Sequence, residues 1–183
     1  NDPAHVAMDL LAQAEHDEAA QSILITDDAG FAAAVEAAVE AALLTLPRRA
    51  IAAASWAAHG AVVLVRDWDE AVALTNRLAP EHLQIMTAEP AALFGQIRHA
   101  GAAFLGRWCP EALGDYVAGP NHVLPTGRSA RFASGLSVFD FLKRTTWVAA
   151  EQAGLRAIGP AAVALAEAEG LTAHGQSVAL RLA

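Results

Sequence analysis

At 183 residues the chain is long enough for one good-sized domain, or for one domain with a small appendage, and for a sizeable buried core. Its apolar share is 55% and its mean hydropathy is +0.31, but alanine supplies much of this. No run approaches the ~20 apolar residues of a spanning helix, which argues against a membrane segment. A formal charge of −8 without a basic stripe argues against a nucleic-acid partner, and one cysteine, Cys109, cannot form an internal disulfide.

In chain order, the first residues, Asn1-Asp2-Pro3, lack the basic, apolar, small-residue order of a secretory signal, so a soluble, cytoplasmic protein is expected. A helix is expected over residues 4–20, followed by a strand over 22–26 (SILIT) and a helix over 28–44. That second helix starts at the cap Asp28 and stops before Pro47. A pair of helices flanks Trp56, and a strand covers 61–65 (AVVLV). The next helix runs over 67–78 with Asp67 as N-cap, and Pro80 stops it. Residues 83–86 (LQIM) and 102–105 (AAFL) read as strands, with a helix over 91–98 between them. Strands alternating with alanine-rich helices give an α/β fold: an open, mostly parallel sheet with flanking helices. Residues 106–135 are broken by five glycines and three prolines, too often for ordinary elements, and read as a long functional loop. A helical pattern resumes from Val138 through Ala150, then from Pro160 to Glu169, with Gly170 as C-cap before a last apolar segment. The organisation expected is an α/β portion over 1–144 and a small helical tail over 145–183. That tail has little core of its own and should pack on another body, such as a second subunit.

Gln13 and His16 lie three apart on the first predicted helix, so their side chains leave the same face about one turn apart. That spacing suits a metal, although a Gln-x-x-His pair on a helix is usually a solvated surface. Glu81 and His82 follow Pro80 where a strand opens, a place taken here as the ligand-accessible loop end of the sheet. A carboxylate beside an imidazole offers two proton acceptors of different resting pKa, as general acid–base work near neutral pH requires, although an ordinary surface pair has the same sequence. Asp115 and His122 fall within Gly114-Asp-Tyr-Val-Ala-Gly-Pro-Asn-His122, where glycines admit close approach of a ligand and Pro120 stiffens the loop; a turn with Asp115 bonded to its own backbone is the alternative. Glu169 and His174 sit either side of the Gly170 break and read locally as a helix end with solvated side chains. His5, His59 and His99 have no such company. The chain contains no G-x-G-x-x-G, H-E-x-x-H, C-x-x-C, P-loop or G-x-S-x-G pattern, so the sequence shows no dinucleotide-binding fingerprint.

Taken in order, the segments LAQAEHD (11–17), LAPEHL (78–83), GDYVAGPNHVLPT (114–126), RFASGLSV (131–138), DFLKRT (140–145) and EGLTAH (169–174) resemble those of histidinol dehydrogenases over essentially the whole chain. The resemblance is to the carboxy-terminal portion of that family. It implies an incomplete Rossmann-like domain with a helical dimerisation tail, and a Zn²⁺ ion held by Gln13, His16, Asp115 and His174, the last contributed by the partner of a homodimer. It also implies acid–base roles for Glu81 and His82 in the NAD-dependent, two-step oxidation of L-histidinol through histidinal to L-histidine. These six residues, with His122 and Glu169, would line the substrate site. Members of the family are much longer, so the resemblance implies a fragment whose NAD-binding region lies elsewhere and which is inactive alone. A paralogous dehydrogenase of another small alcohol, or a non-catalytic zinc-binding and dimerisation module, are the competing expectations.

Overall fold

The computed structural model describes residues 1–183. Its elements run α1 (Pro3–Ala14), β1 (Ile23–Thr26), α2 (Ala29–Leu43), α3 (Arg49–His59), β2 (Ala61–Leu64), α4 (Trp68–Leu78), β3 (His82–Ile85), α5 (Pro90–Phe94), β4 (Ala102–Leu105), α6 (Glu111–Tyr116), α7 (Gln152–Ala168) and α8 (Thr172–Leu182). Two 3₁₀ turns, Ser129–Arg131 and Val138–Phe141, precede α7. The chain divides into two compact units, Asn1–Asp140 and Phe141–Ala183. No helix is long and apolar enough to cross a membrane.

In the first unit the four strands form two parallel pairs. In one, Ile23 lies opposite Ala61, and in the other His82 lies opposite Ala102. Parallel neighbours need a crossover, and helices α2 and α3 supply it for the first pair and α5 for the second. The α/β class read from the sequence is therefore present, with its strands in two pairs instead of one open sheet. The helices start where short acidic side chains satisfy free N–H groups: the Asp2 carboxylate accepts from Ala4 at 2.8 Å, Asp28 from Phe31 at 2.9 Å and Asp67 from Glu70 at 2.8 Å. Along α1, Val6, Ala7, Leu10, Leu11 and Ala14 recur at helical spacing and pack with Val35, Val39 and Ala52 to make the main core. Removing each such Leu or Val side chain from water contributes about 1.5–3 kcal/mol. Because this stripe faces inward, Gln13 is turned off the core side of the same helix.

Several elements differ from the sequence expectation. Helix α1 stops at Ala14, not at residue 20, because the Asp17 carboxylate captures the Ala19 N–H at 2.8 Å and offers the backbone a turn instead. A single helix, α3, contains Trp56, where a flanking pair was expected. Helix α5 ends at Phe94, and the chain beyond it is tied to α4 by Asn76, which accepts from Arg98 at 2.7 Å and donates to the Gln96 carbonyl at 3.2 Å. The glycine-rich stretch holds an unanticipated helix, α6. The helix expected from Val138 to Ala150 is reduced to one 3₁₀ turn. There the Ser137 N–H donates to the Asp140 carboxylate at 2.7 Å, and the Thr145-Thr146-Trp147-Val148 run that follows disfavours helix through its branched and aromatic side chains. Helix α7 begins eight residues before Pro160 and continues through it.

The second unit contains α7 and α8. An added Cβ at Gly159 would lie 3.1 Å from Leu182, and one at Gly175 would lie 3.6 Å from Ala166, so the two helices run antiparallel with glycines at their shared face. Between them Gly170, at φ +72°, closes a Schellman motif: its N–H donates to Glu167 at 3.0 Å and that of Leu171 to Ala166 at 2.8 Å. The expected C-cap at Gly170 is thus observed. Ile158, Leu165 and Leu180 remain exposed.

Candidate functional site

The turn from α4 into β3 is set by an unusual backbone position. Ala79, buried at 1% exposure, adopts a left-handed conformation (φ 49°, ψ 62°), which non-glycine residues enter only at a cost. Its N–H caps α4 through the Thr75 carbonyl at 2.8 Å, and the chain reverses into Pro80-Glu81-His82. The next residues are clamped from the neighbouring strand: the Gly101 N–H donates to Pro80 at 2.9 Å and the Ala102 N–H to Glu81 at 2.8 Å. Gly101 has no room for a side chain, since an added Cβ would stand 2.6 Å from the Glu81 carbonyl oxygen. His82 is consequently fixed as the first residue of β3. This is the amino-terminal end of the strand, not the carboxyl end at which open α/β sheets usually take ligands, so the loop-end placement taken from the sequence is corrected.

Helix α6 lies against this point. A Cβ on Gly114 would stand 2.4 Å from the Phe104 ring of β4, so glycine is what lets the helix rest there. Glu111 and Asp115, four apart, share the face toward β3. Glu111 Oε1 lies 3.5 Å from His82 Nε2, and Asp115 Oδ1 lies 3.3 Å from His122 Nδ1. One donor atom each from His82, Glu111 and Asp115 falls within 4.8 Å of the others. His82 Nε2 and Glu111 Oε1 are both withdrawn from solvent and have no hydrogen-bond partner. Such orphans cost about 1–3 kcal/mol each, an expense typical of places that receive a ligand or ion. Burial pushes the Glu111 carboxyl above its ordinary pKa; the charge of His82 opposes this, Asp115 adds to it by charge and hydrogen bonding, and His16 opposes it.

A cleft of about 790 Å³ opens beside these groups, lined by Gln13, Glu81, His82 and Glu111 together with Asp9 and Gln84. Gln84 donates to the Asp9 carboxylate at 2.9 Å, and burial raises the pKa of Asp9 against that hydrogen bond and the charge of His5. Gln13 sits in the last turn of α1. His16 lies just past its end and is exposed, but its N–H still donates to the Gln13 carbonyl at 3.3 Å. That tight turn keeps the two backbones one turn apart although the helix has stopped. The first unit therefore brings together Gln13, Glu81 and His82 at one cleft, places Asp115 and His122 beside Glu111, and sets His16 near enough to act on the Glu111 carboxyl. Oxygen and nitrogen donors of this kind are compatible with a zinc ion. Glu169, which caps α7, and His174, in the first turn of α8, belong to the second unit and are exposed. Cys109 is free, half-buried and outside the cleft lining.

Glu111 is the polar residue that the sequence reading missed. The available signal was its spacing from Asp115, four residues and hence one helical turn, immediately after Pro110.

Comparison with known proteins gives a consistent result. Residues 1–182 match the family model described as histidinol dehydrogenase. The chain is 64% identical over 182 residues to a histidinol dehydrogenase of Gluconobacter oxydans, and 62% identical over 182 residues to one of Rhizobium meliloti. Each alignment covers 100% of this chain and 42% of the relative, so the chain spans less than half the length of these curated relatives. Among solved structures, that of histidinol dehydrogenase from Elizabethkingia anophelis superposes with a TM-score of 0.92 at 38% identity, over 98% of this chain and 41% of that one.

Proposed function

The chain belongs to the histidinol dehydrogenase family, and from that premise we propose that the whole protein oxidises L-histidinol through histidinal to L-histidine with NAD as hydride acceptor. The observation that carries this reading is the convergence of Gln13, Glu81 and His82 on one cleft, beside the Asp115 carboxylate. Gln13, His16, Asp115 and His174 would hold a zinc ion. When bound, the ion supplies positive charge and an anchor for the substrate's nitrogens, without redox chemistry of its own. This set differs from the close triad His82, Glu111 and Asp115 and shares only Asp115 with it. We prefer the former because it leaves His82 free to move protons.

His82 accepts the proton of the substrate hydroxyl as hydride passes to NAD⁺, giving the aldehyde and NADH. Glu81 then takes a proton from water as that water adds to the aldehyde carbon, and the hydrate surrenders a second hydride to a second NAD⁺. His122 and Glu169 contact the substrate. We propose a homodimer in which His174 of one copy completes the other's site; the exposed apolar side chains Ile158, Leu165 and Leu180 on α7 and α8 support a partner surface. Cytoplasmic residence accords with a biosynthetic role. No nucleic acid or membrane enters this reading.

The test is made on the full-length protein, by absorbance of NADH upon addition of L-histidinol and by metal analysis of the same preparation. Zinc together with histidinol-dependent NADH formation is expected. Zinc without turnover, or turnover of other small alcohols in preference to histidinol, contradicts the proposal.

A further inference from the structure

His82 has two kinds of neighbour. Its ring rests on Phe104, with centroids 6.1 Å apart and planes tilted by 44°, and its Nε2 faces Glu111. Packing on Phe104 fixes where the ring lies but cannot choose between the two orientations related by a half-turn about the ring's own bond, because ring N and C–H groups have nearly the same size. Only a polar partner makes that choice. Glu111 is placed for it: its side chain is 15% exposed against 19% for His82, and the two facing atoms are both buried and otherwise unpartnered. The other acid on the same face of α6, Asp115, lies against His122. The 3.5 Å separation needs to shorten by about 0.7 Å to reach charge-assisted hydrogen-bond length. A closure of that size is ordinary when a site fills with its ligand.

We infer that Glu111 is the positioning residue of His82, holding the imidazole by Nε2 in the one orientation that serves the cleft. This rests on the acid–base role given to His82 above. The role depends on geometry and not on which partner carries the proton. An amide offers both a donor and an acceptor, so E111Q can still meet Nε2 in either protonation state, while E111A cannot.

The test uses the full-length protein and three measurements on wild type, E111A and E111Q: kcat and KM for L-histidinol, zinc content, and the rate at which diethyl pyrocarbonate modifies His82, read by peptide mass spectrometry. For E111A, kcat falls about 10- to 100-fold, as for other supporting partners of site histidines, with KM and zinc little changed. Modification of His82 alone accelerates several-fold, and E111Q stays near wild type in all three. Unchanged kcat and His82 reactivity in E111A overturns the inference, as does E111Q behaving like E111A, or zinc lost in step with D115A. If E111A fails to fold, E111D, with its carboxylate withdrawn by one methylene, carries the test: accelerated modification of His82 supports the inference and an unchanged rate overturns it. If the wild-type protein does not oxidise histidinol, the functional reading falls, and the modification rates alone decide the part played by Glu111.

Discussion

Replacing Gly114 by alanine probes how the site is assembled, because the substitution adds one methyl group where helix α6 meets Phe104. In the present packing that methyl would stand 2.4 Å from one ring carbon and 2.8 Å from the next, whereas carbon atoms pack at about 3.5–4.0 Å. The ring is only 8% exposed and has little freedom to withdraw, so α6 must retreat by about 1 Å. Overpacking of this kind costs about 1–3 kcal/mol. The retreat also carries Glu111 and Asp115 away from His82, and a misplacement of about 1 Å can cost around 100-fold in rate. Thermal melting and histidinol-dependent NADH formation of full-length G114A should therefore both decline. Adding F104L, which removes the ring, should restore much of the melting temperature but not the rate, because the same ring seats His82. Wild-type melting and rate in G114A, or no recovery of melting temperature in the double variant, would refute the claim that Phe104 sets the height of α6.

Other substitutions test neighbouring parts of the account. At Ala79 the left-handed backbone makes A79V unfavourable by about 2 kcal/mol or more, while A79G, which relieves strain but loosens the unfolded chain, should stay within about 1 kcal/mol of wild type in urea titration. A79V as stable as wild type would remove the strain argument. The Asp9 carboxyl, whose pKa is raised above 3.8 by burial, stabilises the fold fully only below its unfolded value and loses that contribution as pH rises through the folded one. D9N, which keeps an acceptor for Gln84, should thus raise the melting temperature at pH 8 with the gain fading toward pH 4; an equal gain at both pH values would contradict it. G170A should cost about 1 kcal/mol through its positive φ, measured by denaturant melting, and no loss would argue against the Schellman closure between α7 and α8.

What the sequence made legible was whatever depends on neighbours along the chain. The branched runs around Ile25 and Val63 and the caps Asp28 and Asp67 announced their elements because strand pleat and helix capping are local matters. The end of α1 was misplaced because Asp17 competes with the helix through a side-chain bond that hydrophobic pattern does not report. Helix α6 was hidden by the glycines and prolines around it, although Gly114 is there for contact with Phe104, ten residues away in sequence and next to it in space. With α6 unread, Glu111 went unread too. The segment after Val138 looked helical by its apolar content, which cannot separate a core-facing stripe from the exposed Phe139, Phe141 and Trp147 observed. Gln13, Glu81 and His82 come from well-separated segments, and only the packed first unit brings them to one cleft.

The most direct measurement is the number of NADH molecules formed per L-histidinol consumed by the full-length protein. The account predicts two for wild type, and predicts that E81Q, deprived of the group that activates water, forms the first NADH far faster than the second. One NADH per histidinol in the wild type, or none, would contradict it.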